Sequence, residues 1–143
     1  MKLGIRAIRY IPASSVDDYS YLAPGSSFSL SSFIHGSLTE LPFTPETGDI
    51  SEQWRYDDNG KYSDFRFKAS IRANREKYRA VLQQLEGQRN IYEIETTDGM
   101  KYVIGSREYL PTFTYADTVS GQSTSQFSID ISLNSIHGAL FSV

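Results

Sequence analysis

The sequence predicts a mainly β fold: an antiparallel β-sandwich or partly closed barrel of about eight strands, flanked by one α-helix at about residues 74–86. Three observations carry this. Several segments alternate apolar and polar residues with period two, most cleanly Gln126–Asn134. A single stretch shows helical periodicity. Two dipeptides, Asn59-Gly60 and Asp98-Gly99, have the chemistry of tight hairpins between β-prone runs.

Taken in order, Lys2–Ile11 reads as a strand with Leu3, Ile5 and Ala7 on one face and Lys2 and Arg6 on the other. Residues 12–32 form a long loop rich in Ser, Pro and Gly that still carries Val16, Tyr19, Tyr21, Leu22, Phe28 and Leu30. So many apolar groups predict that the loop lies on its own sheet or on another molecule. Gly36–Phe43 is a short strand stopped by Pro42 and Pro45. Asp49–Tyr56 alternates Ile50, Trp54 and Tyr56 against Ser51, Gln53 and Arg55, with Glu52 the exception on the apolar side. After a turn at Asp57–Lys61, Phe65, Phe67, Ala69 and Ile71 alternate with Arg66, Lys68, Ser70 and Arg72, which predicts one buried face and one wet cationic face.

The period then changes. Tyr78, Val81, Leu82 and Leu85 fall at i, i+3, i+4 and i+7, with Asn74 placed to cap the N-terminus and Gly87 placed for a left-handed C-terminal cap. Strands return in Asn90–Thr96 and Lys101–Gly105, joined by a turn at Thr97–Met100. Another runs through Glu108–Thr118, with Tyr109, Phe113 and Tyr115 on one face and Pro111 marking an edge or a bulge. The polar stretch Val119–Ser125 precedes the last strand, in which Phe127, Ile129, Ile131 and Leu133 point inward.

The length of 143 residues fits a single domain, 1–143. A formal charge of -3 with 14 scattered basic residues offers no electrostatic footprint for nucleic acid, so no specific nucleic-acid binding is expected. The absence of cysteine excludes disulfide and thiolate chemistry. Arg6 and Arg9 interrupt any signal-like apolar run near the start, and no stretch approaches the roughly 18 apolar residues of a membrane span. A soluble protein that is neither exported by a cleaved signal nor inserted in a membrane is the expectation.

Catalytic constellations are not apparent. The two histidines, His35 and His137, sit in the near-repeats FIHGSL and SIHGAL. Their acidic neighbours are no closer than Glu40 and Asp130, so the pair falls short of a metal-ligand set, and a structural role at a strand end is the reading, with a metal shared between subunits as the alternative. There is no G-x-S-x-G elbow and no glycine-rich turn leading into the helix. The Asp57–Gly60 stretch lacks an acidic residue at the closing position of a calcium loop, where Lys68 stands, and reads as a turn. Glu93 and Glu95 alternate onto one strand face, expected to be solvated. Of the many rings, Tyr10, Tyr19, Tyr21 and Phe28 fit the core least well and favour a protein interface.

From Lys61 onward the arrangement resembles the tail-tube fold of tube, distal-tail and related baseplate proteins of tailed bacteriophages and contractile injection systems. The matching elements are Tyr78–Gly87, the hairpin at Asp98-Gly99, Pro111–Tyr115 before Ser120-Gly121, and Phe127–Leu133, together about half of the chain. The resemblance implies a non-enzymatic virion structural protein, a tail-tube-like, baseplate-like or tail-completion subunit assembled in the bacterial host cytoplasm. Its partners would be copies of itself in a ring and other tail or virion proteins, with no cofactor. Sheets would line the lumen, and the loops at 12–32 and 119–125 would reach neighbours, placing Tyr19, Tyr21, Leu22, Phe28, Ser120, Gly121 and Gln122 at the subunit interface. The alternative is a monomeric β-sandwich binding module for carbohydrate or protein, using Trp54 and exposed tyrosines.

Overall fold

In the computed structural model, residues 4–19, 27–41, 48–58, 60–71, 75–106, 109–118, 126–135 and 140–142 are described. Among them, in chain order, come β1 (Ile5–Pro12), β2 (Ser27–Phe28), β3 (Thr39–Leu41), β4 (Asp49–Asp57) and β5 (Gly60–Ile71). The helix α1 (Arg75–Gly87) follows, then β6 (Asn90–Thr96), β7 (Lys101–Ile104), β8 (Thr112–Thr118), β9 (Gln126–Ser135) and β10 (Leu140–Ser142). Short 3-10 turns at Ala13–Ser15 and Leu30–Ser32 punctuate the segment between β1 and β3.

The strands form two sheets, one of six in the order β2-β10-β7-β6-β1-β3 and one of four in the order β4-β5-β9-β8. Every pairing is antiparallel except the short one between β10 and β2. A single core joins the sheets. Phe65, Phe67 and Ile71 of β5, with Phe127, Ile129 and Ile131 of β9, meet Ile8, Tyr92, Ile94 and Ile104 of the larger sheet, while Leu82 and Leu85 of α1 close over it. The fold is thus a β-sandwich with one helix and, among the described residues, no closed barrel. The ten strands exceed the expected eight because β2 and β10, two and three residues long, are too short to show a period.

Two sequence expectations are corrected here. Pairing of β1 with β6 shifts register between Ile5 and Ala7, so Arg6 is the extra residue of a bulge. One inserted residue reverses every later side chain, which sends Ile8 and Tyr10 to the face that Ile5 occupies and leaves Ala7, Arg9 and Ile11 on the opposite one. Gly87 does not adopt the left-handed conformation. It is the last residue of α1, and the Gln88 amide bonds back to the Leu85 carbonyl at 3.3 Å in a tightened final turn. Asn74, the expected cap, lies outside the described residues.

Both hairpins form where the turn chemistry places them. Asp57 pairs with Gly60, whose φ of +116° suits glycine. The β6–β7 turn is tied by Thr96, whose amide donates to the Met100 carbonyl at 2.8 Å and whose hydroxyl donates to the Asp98 carboxylate. That hydroxyl bond holds the Asp98 carboxyl below its ordinary range.

The second face of the six-stranded sheet is also covered over part of its area. Ile11, Ile91 and Val103 meet Ala13, Val16, Tyr19, Phe28 and Leu30 from the segment that follows β1, forming a second apolar cluster. This segment was expected to lie on its own sheet or on another molecule, and its described residues lie on the sheet.

Candidate functional site

The four-stranded sheet has unlike edges and unlike faces. Its inner face is the core. Its outer face carries Asp64 and Arg66 of β5 beside Asn134 and Ser132 of β9, with Thr112 and Thr114 of β8 continuing the polar rows. Asp64 accepts from Arg55 Nε at 3.2 Å and from Arg66 Nε at 3.4 Å, so this face carries one carboxylate shared by two guanidinium groups rather than cations alone. Such half-exposed pairs contribute about 0–1 kcal/mol each.

At one edge stands β4. It pairs with β5 along nine residues, Asp49↔Lys68 through Asp57↔Gly60, yet buries none of its own side chains fully. Ile50, Glu52, Trp54 and Tyr56 share the face on which Phe65 and Phe67 of β5 enter the core. Only Ile50 packs against that core, while Trp54 is 39% and Tyr56 77% exposed. Lys61 steadies both rings from the neighbouring strand, its Nζ 4.9 Å from the Trp54 centroid and 5.9 Å from that of Tyr56. At an exposed site this cation–π contact is worth about 0.5–1 kcal/mol. Glu52, on the same face, accepts from the buried Ser63 hydroxyl at 3.1 Å. Among the described residues no strand pairs with the other side of this nine-residue strand, which offers its backbone groups to a further strand.

The residues expected at a subunit interface fall into two groups. Tyr21, Leu22, Ser120, Gly121 and Gln122 lie outside the described residues. Tyr19 and Phe28 lie inside this chain's own second cluster: Tyr19 is fully buried, its ring 4.9 Å from that of Phe28 and 5.8 Å from that of Phe33. Its hydroxyl donates to the Gly105 carbonyl, fastening the segment to the end of β7. Burial, with the Asp18 charge adding, pushes its phenol well above the ordinary tyrosine range. Gly105 itself has φ +100°, and a Cβ there would stand 2.6 Å from Pro111 Cδ. These apolar rings are used within the chain, which the loop's Ser-rich text hid.

His35 is exposed and its Nε2 lies 2.8 Å from Asp17 Oδ1, while its backbone amide bonds to the Ser15 carbonyl at 2.7 Å. It thereby ties the two ends of the covering segment together. His137 lies outside the described residues. Among the described residues no group of three or more His, Cys, Asp or Glu side chains is arranged to hold a metal, and no helix is long and apolar enough to cross a membrane.

Glu93 and Glu95 require a correction. Expected on a solvated face, they are only 4% and 8% exposed. Register explains it: Glu93 stands between Arg9 and Val103, and Glu95 between Ala7 and Lys101, in the interior of the six-stranded sheet. Arg9 Nη1 reaches Glu93 Oε1 at 2.9 Å and Glu95 Oε1 at 3.7 Å, and Arg6, turned by the bulge, reaches Glu95 Oε2 at 3.3 Å. Two carboxylates held this way by guanidinium groups form a structural ion network rather than an acid–base pair.

Two cavities open at the end of the four-stranded sheet where β9 stops, one of about 370 Å³ beside Tyr62 and Tyr109 and one of about 300 Å³ beside Asp64 and Arg66. A third, of about 440 Å³, lies between Ser14 and Arg89. The chain matches no protein-family model, and no curated protein or solved structure matches it.

Proposed function

We propose that the protein is a non-enzymatic virion structural subunit, tail-tube-like or baseplate-like, that assembles into a ring through its sheet edges and loops. The observation that carries this is β4: nine residues long, paired on one side only among the described residues, exposed on both faces and bearing Trp54 and Tyr56. Monomeric proteins blunt such strands with short length, proline or covering loops, and β4 has no proline within it.

The topology favours cyclic repetition. The four strands alternate in direction from β4 to β8, so a rotated copy presenting its β4 to this β8 continues the alternation and extends the sheet antiparallel. One face of the sheet carries the second sheet and α1. A ring closed this way therefore turns the Ser, Thr and Asn rows of the other face toward its lumen, where a polar lining suits an aqueous conduit.

The test is the mass of the purified protein over a concentration series, with negative-stain images of the same samples. Rings or short tubes are expected for the native chain, and a monomer for Trp54→Lys, whose site on the open strand tolerates the charge without loss of fold. A Trp54→Lys protein that assembles as the native one does would remove β4 from the interface.

A further inference from the structure

We propose that the end of the four-stranded sheet carries a groove that binds a short neutral oligosaccharide, held between Tyr62 and Tyr109 and read by Asn134. This does not depend on ring assembly.

The groove lies where the described pairing of β5 with β9 ends. β5 begins at Gly60, but its pairing with β9 begins only at the Ser63↔Ser135 pair. Gly60, Lys61 and Tyr62 therefore have β4 on one side and, among the described residues, no strand on the other. The notch is the 370 Å³ cavity, lined by Asp57, Lys61, Tyr62, Tyr109 and Asn134 among others. Around the corner, on the polar face of the sheet, Asp64, Arg66, Thr112, Ser132 and again Asn134 line the 300 Å³ cavity. Asn134 borders both, and the consecutive residues Tyr109 and Leu110 border one each, so the two hollows adjoin. Each falls within the roughly 300–1,000 Å³ of small-molecule sites.

The lining selects the ligand class. Sugar hydroxyls donate and accept at once, and need interleaved partners of both kinds. The Asn134 amide supplies both, and Thr112 and Ser132 add hydroxyls. In the hollow beside Asn134 the Asp64 carboxylate and the Arg66 guanidinium pair with each other at 3.4 Å, which leaves little surplus charge there to hold a phosphate or a polyamine. The half-buried Tyr62 and Tyr109 give the apolar ring surface against which the C–H face of a pyranose packs. Trp54 plays no part in the groove: it stands on the other face of the sheet from Tyr62.

The experiment is isothermal titration of the full chain with maltotriose, cellotriose and chitotriose, joined to hydrogen exchange read by mass spectrometry with and without each sugar. At least one trisaccharide should bind and slow exchange in peptides covering 57–62 and 130–135. Asn134→Ala, an exposed position, should weaken that binding about tenfold or more, as the loss of a two-way hydrogen-bonding group predicts. Trp54→Ala should leave it within about twofold. The proposal is overturned if none of the three sugars binds, or if binding survives Asn134→Ala and protection centres on Trp54. The exchange map on the native chain decides the matter even if a variant fails to fold.

Discussion

β4 and β5 run side by side for nine residue pairs, alternate polar and apolar residues alike, and end in opposite circumstances. β5 buries Ser63, Phe65, Phe67, Ala69 and Ile71, whereas β4 leaves even Trp54 and Tyr56 in solvent. The difference is position. β5 lies between β4 and β9 and faces the second sheet, while β4 has, among the described residues, one neighbouring strand and only Ile50 packed on the core. Period two tells which residues share a face, and the partners of that face decide whether it is buried. The second face of the six-stranded sheet teaches the same lesson in reverse, since a segment without regular periodicity covers it.

The comparison can be broken from its strong side first. Phe67→Ala should cost about 3–5 kcal/mol, read by denaturant unfolding, because it empties a fully buried site shared by both sheets. Arg9→Ala should cost about 3 kcal/mol by leaving the buried Glu93 carboxylate without its partner, and adding Glu93→Leu should recover most of that loss. Tyr19→Phe should cost about 1–3 kcal/mol, since the Gly105 carbonyl loses a buried donor, and should speed hydrogen exchange across residues 13–19. Trp54→Ala, on the bare strand, should shift stability by less than about 1 kcal/mol, the scale of its contact with Lys61.

Alkaline pH adds a further contrast. Tyr19 and Tyr92 are buried and their phenols are raised above the ordinary value, chiefly by desolvation. Their protonated state therefore supports folding fully below the unfolded tyrosine value of about 10, and that support fades as pH rises beyond it. Unfolding free energy measured from pH 8 to 11 should be flat and then fall, and Tyr19→Phe should make the fall shallower.

Much of the fold was legible because its signals are local. The helix Arg75–Gly87, the strand Gln126–Ser135 and the two hairpins follow from period and turn chemistry within a dozen residues. What was hidden is what depends on distant partners. The bulge at Arg6 becomes visible only through pairing with Glu95 and Thr96, far along the chain. The burial of Glu93 follows from Arg9 and Val103 on either side of it, and that of Tyr19 from the Gly105 carbonyl. The hollow at Tyr62 is lined by residues of β4, β5 and β9 together with Tyr109, a meeting that no single segment records. Trp54 stood out in the sequence by its residue type, and its exposure came from the edge position of its strand.

The open side of β4 is the centre of the proposed function, and hydrogen exchange of its backbone amides over a protein concentration series tests it most directly. If neighbouring copies pair along this strand, amides of residues 49–57 become protected as concentration rises, in step with the appearance of rings, while the interior amides of β9 stay protected throughout. Exchange in β4 that is equally fast in monomers and in assembled particles would contradict assembly through this edge.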